Sequence, residues 1–308
     1  MLNEKTSALY QTRYCAQEDF SIAVCTNRSV RRLEIPFSLD SYEKSKRLGV
    51  FMNRRVRSEV VAFGSDSFVI NGSMENCDYE KSNFFEKYSE SSKNKIALPS
   101  TLDERYCFCI CSFTQKVYVI GGNRIIKWKD NRSISSCMCY DIKSSKWIYI
   151  ASMIESRKCA SCSVFEGKIV VTGGYSYSFT FNSAESYCFH KNKWTNFPEM
   201  LEKRAFHATV SIGNKLFVVG GDYKNDSEVF DSITNKFVLI KNLPEIGYFT
   251  YALSIGYKTY VFQEPSEDNR KKHKSEMLTL CYNDKQNAWI KESNLYFDSR
   301  VVSCAKIF

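Results

Sequence analysis

Three segments of the chain carry the same residues at the same spacing, and this repeat limits the fold more than any other feature. An apolar run ends in a Gly-Gly pair three times, and an Arg precedes each pair by sixteen positions. Downstream of each pair, two aromatic residues stand seven positions apart. The repeated positions are Arg105, Gly121, Tyr140 and Trp147; Arg157, Gly173, Tyr187 and Trp194; and Arg204, Gly220, Phe230 and Phe237. A repeated unit of this kind predicts a repeat architecture.

Weaker copies of the unit flank these three. Residues 246–298 carry Tyr282 and Trp289, again seven positions apart, and residues 53–100 carry Tyr88 at the Tyr position. The unit is about 43 to 53 residues long, which is the length of a four-stranded propeller blade. Phe and Tyr are abundant, with 22 and 19 copies, and aromatic side chains favour strands. The pattern therefore predicts an all-β protein.

Each unit reads as four antiparallel strands, which we call a to d in chain order. The Gly-Gly pair closes strand b, where a neighbouring backbone is expected to come too close for a Cβ atom. The aromatic pair lies on the c–d hairpin, where large rings can fill the wedge between twisted blades. One blade cannot bury both of its faces, but a closed ring of blades buries them and removes exposed sheet edges.

The two ends of the chain together supply one more unit. The C-terminal VVSCAKIF reads as a strand a alone, and FSIAVCT, VRRLEIPF and RLGVFM read as strands b, c and d. We therefore predict a six-bladed β-propeller that is closed by its C-terminal strand. An open or five-bladed structure with a disordered N-terminus is the alternative. The predicted segments are an N-terminal tail at 1–17, a propeller at 18–308, and blades at 18–52 plus 299–308, 53–100, 101–153, 154–200, 201–245 and 246–298.

These residues resemble the Kelch repeat, in which an apolar strand, Gly-Gly, Tyr and Trp follow in this order. The four-residue steps from Met153 to Arg157 and from Met200 to Arg204 are similar to those of Kelch-like adaptors. In that family, BTB and BACK domains recruit a cullin, and the propeller holds the substrate for ubiquitination. The resemblance implies a substrate adaptor or scaffold that binds proteins. Since six blades use the whole sequence, we expect only an indirect link to a cullin ubiquitin ligase.

The composition indicates the cellular compartment of this propeller and the classes of partner that it can bind. The N-terminus lacks the apolar core of a secretory signal, and no apolar run approaches the roughly 18 residues of a membrane span. The 13 Cys are an odd number in a long chain without such a signal, so a disulfide framework is not expected. We expect a cytoplasmic protein without a membrane partner. The net charge of +9 admits an acidic protein, a nucleic acid or an anionic surface as partner.

Antiparallel topology places the d–a linkers and the b–c loops on one side of the ring, which we call the loop face. Arg in the company of Tyr and Trp is the composition of protein-interface hot spots, and clustered Arg suits carboxylates or phosphates. We therefore predict that this face binds an acidic or phosphorylated protein segment. The candidate residues are Arg105, Arg157, Arg204 and Arg300 from the linkers, and Arg124, Trp128, Tyr175, Tyr177 and Tyr223 from the loops.

The same residues also have structural explanations. A repeated Arg can instead bond backbone carbonyls of the neighbouring blade, and the aromatic side chains of YSYSFTF can partly be packed inside. For Arg105, Arg157 and Arg204, the Kelch-like resemblance implies a contribution to a substrate groove.

Residues for catalysis or metal binding do not form a recognisable pattern. Cys159 and Cys162 form a CxxC pair, but no second pair stands at a suitable spacing for zinc. Cys residues on inner strands suit a crowded axis, where they act as small hydrophobes. The three His, at 190, 207 and 273, do not assemble a centre. We predict no catalytic residue, cofactor or metal. A propeller enzyme of the sugar-acid isomerase or oxidase type, and a basic-face nucleic-acid binder, are the disfavoured alternatives.

Overall fold

The computed structural model describes a chain built from β-strands. It covers residues 21–26, 29–34, 46–50, 59–63, 66–70, 84–89, 95–124, 132–222, 224–244, 250–255, 258–263, 275–283, 286–297 and 301–307, which contain strands and no helix. The strands are β1 (Ser21–Thr26), β2 (Ser29–Glu34), β3 (Lys46–Val50), β4 (Glu59–Phe63), β5 (Asp66–Ile70), β6 (Phe85–Ser89), β7 (Lys95–Leu98), β8 (Arg105–Tyr106), β9 (Cys109–Phe113), β10 (Lys116–Ile120), β11 (Asn123–Arg124), β12 (Cys137–Asp141), β13 (Lys146–Ile150), β14 (Ser161–Phe165), β15 (Lys168–Thr172), β16 (Tyr175–Ser176), β17 (Phe179–Thr180), β18 (Ala184–Cys188), β19 (Lys193–Phe197), β20 (Ala208–Ile212), β21 (Lys215–Val219), β22 (Ser227–Asp231), β23 (Lys236–Ile240), β24 (Thr250–Ile255), β25 (Lys258–Gln263), β26 (Ser275–Asn283), β27 (Ala288–Phe297) and β28 (Val301–Ile307).

Five four-stranded antiparallel sheets form the blades of a β-propeller, which confirms the predicted all-β class and propeller architecture. In chain order the blades are I (β4–β7), II (β9, β10, β12 and β13), III (β14, β15, β18 and β19), IV (β20–β23) and V (β24–β27). Two short ladders lie in the connections, where β8 pairs with β11 and β16 pairs with β17. A further sheet has the order β28, β1, β2, β3.

The backbone pairing of this further sheet joins the two ends of the chain. Strand β28 pairs antiparallel with β1, from Ser21 opposite Ile307 to Thr26 opposite Val301, with an irregularity after Cys25. Strand β28 also lies next to β4 and β24, the innermost strands of blades I and V.

The apolar core lies between neighbouring blades rather than within one blade. Tyr187 and Trp194 stand opposite each other on β18 and β19, with ring centroids 5.2 Å apart, and pack in one cluster with residues of blade II. The Trp194 indole N–H donates to the carbonyl of Ala151, in the preceding repeat, at 2.8 Å. Trp147 and Trp289 donate in the same way to Pro99 and Lys241. The predicted wedge role of the aromatic pairs is confirmed.

The Gly-Gly pairs stand where the backbone of the next blade comes close, as the sequence predicts. A Cβ on Gly173 would lie 2.4 Å from the carbonyl oxygen of Arg204 and 2.7 Å from the ring of His207. Gly173 also has a φ of +57°, which L side chains rarely adopt. Gly121 has the same relation to the carbonyl of Arg157, at 2.6 Å. Close packing of consecutive blades therefore requires glycine here.

Replacing the first glycine of a pair tests this packing. We expect Gly173→Ala to lower the free energy of unfolding by about 3 kcal/mol, because left-handed backbone strain adds to a clash with the next blade. Gly167→Ala is the matched control, since Gly167 has a φ of +68° and nothing within 4 Å of its added Cβ. Its cost should be about 1 kcal/mol. Urea denaturation followed by Trp fluorescence measures both, and equal losses would contradict the proposed clash.

Candidate functional site

A buried arginine lies at the loop-face end of blade III. The Arg157 side chain is 1% exposed, and its Nε–H donates to Glu185 Oε1 at 3.0 Å. Its Nη1 donates to the carbonyls of Gly173 and Ser183 at 2.8 and 3.0 Å, and its Nη2 donates to the Ser183 hydroxyl at 2.8 Å. Arg157 thus ties the end of strand b and the start of strand c to one carboxylate.

The carboxylate of Glu185 also fixes the d–a linker. It accepts hydrogen bonds from the backbone N–H groups of Ile154 and Glu155, at 2.7 and 3.1 Å. Blade IV repeats the arrangement, with Glu228 accepting from Arg204 and from the N–H groups of Leu201 and Glu202. These glutamates were missed by the sequence reasoning. Their signal is a Glu two positions before the first aromatic residue of the pair, which also occurs at Glu86.

Blade II builds the same junction with a different carboxylate. Met138 occupies the strand c position that is Glu185 in blade III, and its relative exposure is 0%. Asp103 of the linker instead pairs with Arg105, whose Nη2 lies 2.5 Å from Asp103 Oδ2. Arg105 Nη1 donates to the carbonyls of Gly121 and Ser136. A buried guanidinium therefore has a carboxylate partner in each of blades II, III and IV.

This geometry corrects the predicted placement of three candidate residues. Arg105, Arg157 and Arg204 do not line the loop face, because their side chains are at most 1% exposed and their donors are used within their own blades. The alternative explanation, that a repeated Arg bonds backbone carbonyls, agrees with the structure in part. The carbonyls belong to the same blade rather than to the neighbouring one. Arg300 lies outside the described residues.

Removing one of these arginines should destabilise the fold. We expect Arg157→Ala to lower the free energy of unfolding by about 3–5 kcal/mol, because it leaves the buried Glu185 carboxylate without its countercharge. The control is Arg124→Ala, an exposed site where a change within about 0.5 kcal/mol is expected. Urea denaturation measures both variants. A loss for the Arg157→Ala/Glu185→Ala double variant equal to the sum of the single losses would contradict the coupling.

A series of backbone hydrogen bonds joins blades II to V at one end of the central cavity, which we call the mouth. Cys107, Cys159 and Phe206 stand two positions after the three arginines, and all have φ between 53° and 56°. Cys159 N–H donates to the Cys107 carbonyl at 2.8 Å, and Phe206 N–H donates to the Cys159 carbonyl at 2.9 Å. Thr250 N–H continues the series to Phe206, at 3.2 Å. These bonds hold blades II to V together at the mouth.

A cavity of about 190 Å³ lies below this mouth, between the innermost strands of the five blades. Cys107, Cys109, Cys159 and Cys162 contribute to its lining. The hydrogen bond with Cys162, together with burial, raises the pKa of Cys109 well above its ordinary value, so this thiol stays protonated. Over the described parts of the chain, no group of three His, Cys, Asp or Glu side chains is arranged to hold a metal ion.

His207 lines the same cavity as a neutral, packed side chain. Burial, and secondly the charge of Arg204, lower the pKa of His207 from 6.5 to about 3. Its Nε2 lies 2.8 Å from the Thr172 hydroxyl, which in turn lies 2.6 Å from the Thr209 hydroxyl. His207 thus belongs to a hydrogen-bonded chain that joins blades III and IV.

The lowered pKa of His207 predicts a loss of stability in acid. Between pH 6.5 and about 3 the unfolded state binds a proton at this residue and the folded state does not, so stability should fall as the pH falls. The slope contributed by one such group is at most about 1.4 kcal/mol per pH unit. Denaturation of the wild type and of a His207→Asn variant across this range isolates the effect. Parallel pH profiles for the two proteins would contradict it.

The loop face of blade III carries an exposed aromatic hairpin. Strands β16 and β17 are joined by the turn Tyr177–Ser178, and Tyr177 and Phe179 are 74% and 72% exposed. Tyr175 is half-buried, and the ammonium of Lys158 lies 4.7 Å from the centre of its ring. Arg124 is also exposed. The structure thus places Tyr175, Tyr177 and Arg124 on the loop face, while Trp128 and Tyr223 lie outside the described residues.

An apolar side chain projects from the linker of each of three successive blades. Leu102, Ile154 and Leu201 each stand three positions before a buried arginine, and they are 44%, 56% and 54% exposed. In blades III and IV, the glutamate that bonds the arginine also holds the N–H of this residue. The sequence reasoning missed these residues, although they share a fixed distance from the repeated Arg.

The comparison with family models agrees with this geometry. The family model for the KLHDC2/KLHL20/DRC7 Kelch-repeats domain matches residues 58–262. This range is about two thirds of the chain and includes all of blades I to IV. The chain therefore belongs to the Kelch-repeat domain family, which confirms the resemblance seen in the sequence.

Curated relatives include animal and viral Kelch proteins. Kelch-like protein 26 of Danio rerio is 33% identical over 113 residues, which cover 37% of this chain and 19% of that protein. Kelch-like protein 41b of Danio rerio is 38% identical over 112 residues, covering 36% and 18%. Kelch repeat protein C2 of vaccinia virus (strain Western Reserve) is 26% identical over 190 residues, covering 59% and 34%. The matches thus span about a fifth to a third of the length of these relatives.

No helix capable of crossing a membrane occurs in the residues that the structure describes.

Proposed function

We propose that this Kelch propeller is a protein-interaction module without enzymatic activity. Its loop face binds an acidic or phosphorylated segment of a partner protein. The observation that carries the proposal is the loop face of blade III, where Lys158 lies over the Tyr175 ring and the same hairpin exposes Tyr177 and Phe179. Aromatic residues and Arg dominate the binding energy of protein interfaces. The partner-binding residues of the proposal are Arg124, Lys158, Tyr175, Tyr177 and Phe179.

The cations of this face support an anionic partner. Within the described chain, Lys158 and Arg124 have no carboxylate partner, whereas Lys224 pairs with Glu202 at 3.0 Å. Lys158 already lies over the Tyr175 ring, which restricts its flexible side chain. A carboxylate or phosphate that reaches this ammonium gains a charge-assisted hydrogen bond, which is stronger than a neutral one. The buried arginines are excluded from this role because their donors are occupied.

We also propose that the ring has six blades, with the sheet β28, β1, β2, β3 as the sixth. Two features support closure. Strand β28 pairs with β1 along the length of β1, with one irregularity after Cys25, and it lies beside β4 and β24, the innermost strands of the first and last of the five blades. A clasp of this kind joins both chain ends in one sheet and leaves no open blade edge at the gap.

The cellular role proposed for the module is substrate recognition or scaffolding in the cytoplasm. Similarity to Kelch-like proteins 26 and 41b supports this role. In the Kelch-like adaptors that the repeat resembles, the propeller holds a substrate for ubiquitination. Any contact with a cullin is proposed to be indirect. Co-purification of a cullin with this chain alone, from purified components, would contradict that part of the proposal.

Binding of synthetic acidic peptides tests the proposed face. We expect short fluorescein-labelled Asp/Glu-rich peptides, with or without phosphoserine, to bind the wild type, and Lys158→Glu to weaken binding at least about tenfold, or 1.4 kcal/mol. The matched control is Lys193→Glu, which makes the same charge change at an exposed residue on the c–d side of blade III. Fluorescence anisotropy gives both affinities.

Two outcomes would contradict this proposal. Equal weakening by Lys158→Glu and Lys193→Glu would indicate attraction by net charge rather than a defined face. Tighter binding of a single-stranded oligonucleotide of matched charge, with a steep dependence on salt, would favour the nucleic-acid alternative.

A further inference from the structure

We infer that the β16–β17 hairpin is the anchor of the loop face. Tyr177 in its turn and Phe179 at the start of β17 pack against a large apolar side chain in the partner segment, next to the acidic group that Lys158 binds. We also infer that Tyr177 is kept in this turn at the expense of fold stability. This inference rests on the proposed function, since it specifies the segment that the same face binds.

The backbone conformation of this turn is unfavourable for tyrosine. Tyr175 pairs with Thr180 and Ser176 with Phe179, so Tyr177 and Ser178 form a two-residue hairpin turn. Tyr177 has a φ of 51°, in the left-handed region. Two-residue turns with positive φ favour Asn or Gly, and a bulky residue there is an outlier. Turn formation therefore does not account for the tyrosine.

Packing does not account for it either. Tyr177 and Phe179 are 74% and 72% exposed, so neither ring gains much from burial within the chain. Strained residues that also fail to pack are characteristic of binding sites, where the surrounding structure holds them in place. Two neighbouring exposed aromatic rings can instead be buried by a partner, which is how hot-spot side chains contribute to binding.

The base of the hairpin is held rigidly, which prepares the tip for binding. Tyr175 and Lys158 exchange backbone N–H···O hydrogen bonds of 2.9 and 3.1 Å, which join the hairpin to its linker. The hydroxyls of Ser133, Ser156 and Ser176 lie within 2.6–3.2 Å of one another and connect the hairpin to blade II. The Tyr175 ring lies 6.0 Å from that of Phe206 in blade IV. The hairpin therefore loses little conformational entropy when a partner binds.

These positions define the chemistry of the segment. Lys158 lies at the base of the hairpin and the two exposed rings lie in and beside its turn, so an anionic group and an apolar side chain of one segment can be bound together. Ile154, two positions before Ser156 in the linker, adds a further exposed apolar surface on the same face. The fitting partner is therefore a protein segment that carries Asp, Glu or a phosphorylated residue close to Leu or Phe. An acidic segment without an apolar side chain would contact Lys158 alone.

A stability measurement tests the strain without any partner. We expect Tyr177→Asn to raise the melting temperature by about 1–2 °C, because Asn accepts the left-handed turn conformation. Tyr177→Phe is the matched control, since it keeps a ring in the same conformation and should leave the melting temperature unchanged. An unchanged or lower melting temperature for Tyr177→Asn would overturn the claim that tyrosine is kept at the expense of stability.

A binding measurement with two defined peptides tests the anchor. The probes are acidic peptides of equal charge, one with a central Leu and one with Ala at that position. We expect the wild type to bind the Leu peptide about tenfold more tightly than the Ala peptide, and Tyr177→Asn to abolish this preference while Tyr177→Phe keeps it. Equal binding of the two peptides by the wild type would overturn the inference.

The failures of the two proposals can be told apart. If Lys158→Glu weakens peptide binding and Tyr177→Asn does not, the proposed function stands and the anchor is wrong. If the wild type binds neither peptide, both are wrong. If sedimentation shows a dimer that Tyr177→Asn dissociates, the hairpin binds a second copy of the chain, which also overturns the inference.

Discussion

The loop face depends on one interaction, the ion pair between a buried arginine and a carboxylate in each of blades II, III and IV. Arg157 bonds the carbonyls of Gly173 and Ser183, and its own carbonyl accepts the N–H of Gly122 in the preceding blade at 2.8 Å. One residue therefore closes its own blade and joins it to its neighbour. A charge in this position is stable only while it is fully paired, because an unpaired buried charge is strongly destabilising. Glu185 supplies the pairing, and its remaining hydrogen bonds fix the linker.

The described residues show this junction in blades II, III and IV. Blades III and IV have the complete arrangement, and blade II replaces the strand c carboxylate with Asp103. Blade V has the buried Leu280 at the strand c position and Gly247 in the Arg position of the sequence. In each of blades II to IV a buried ion pair therefore lies at the linker. The apolar residues Leu102 and Leu201 and the aromatic hairpin of blade III all lie in this sector.

Because the repeated arginines are buried, the residues available to bind a partner differ from those that the repeat suggests. Within the described residues, the charge of these arginines is turned inward and neutralised, so the chemistry of the loop face comes from the residues around them. Lys158 follows a buried arginine directly, and Tyr175 follows a Gly-Gly pair directly. Both positions follow invariant elements of the three strong repeats but vary between them, which lets one rigid framework carry different binding residues in each blade.

The sequence alone determined the all-β class, the propeller and the positions of the blade contacts, because glycine at a close backbone approach and paired aromatics at blade interfaces are requirements of local geometry. It also placed Tyr175, Tyr177 and Arg124 on one face, since strand alternation fixes the side from which a loop emerges. It could not decide whether a repeated Arg points outward or inward. That depends on whether a carboxylate such as Glu185 lies within reach across two strands, which only the tertiary structure brings about. The exposure of Ile154 and the left-handed turn at Tyr177 were also visible only there. Ile154 is held by Glu185, a residue distant in the chain, and the hairpin that carries Tyr177 is joined at its base to Lys158 and Ser133.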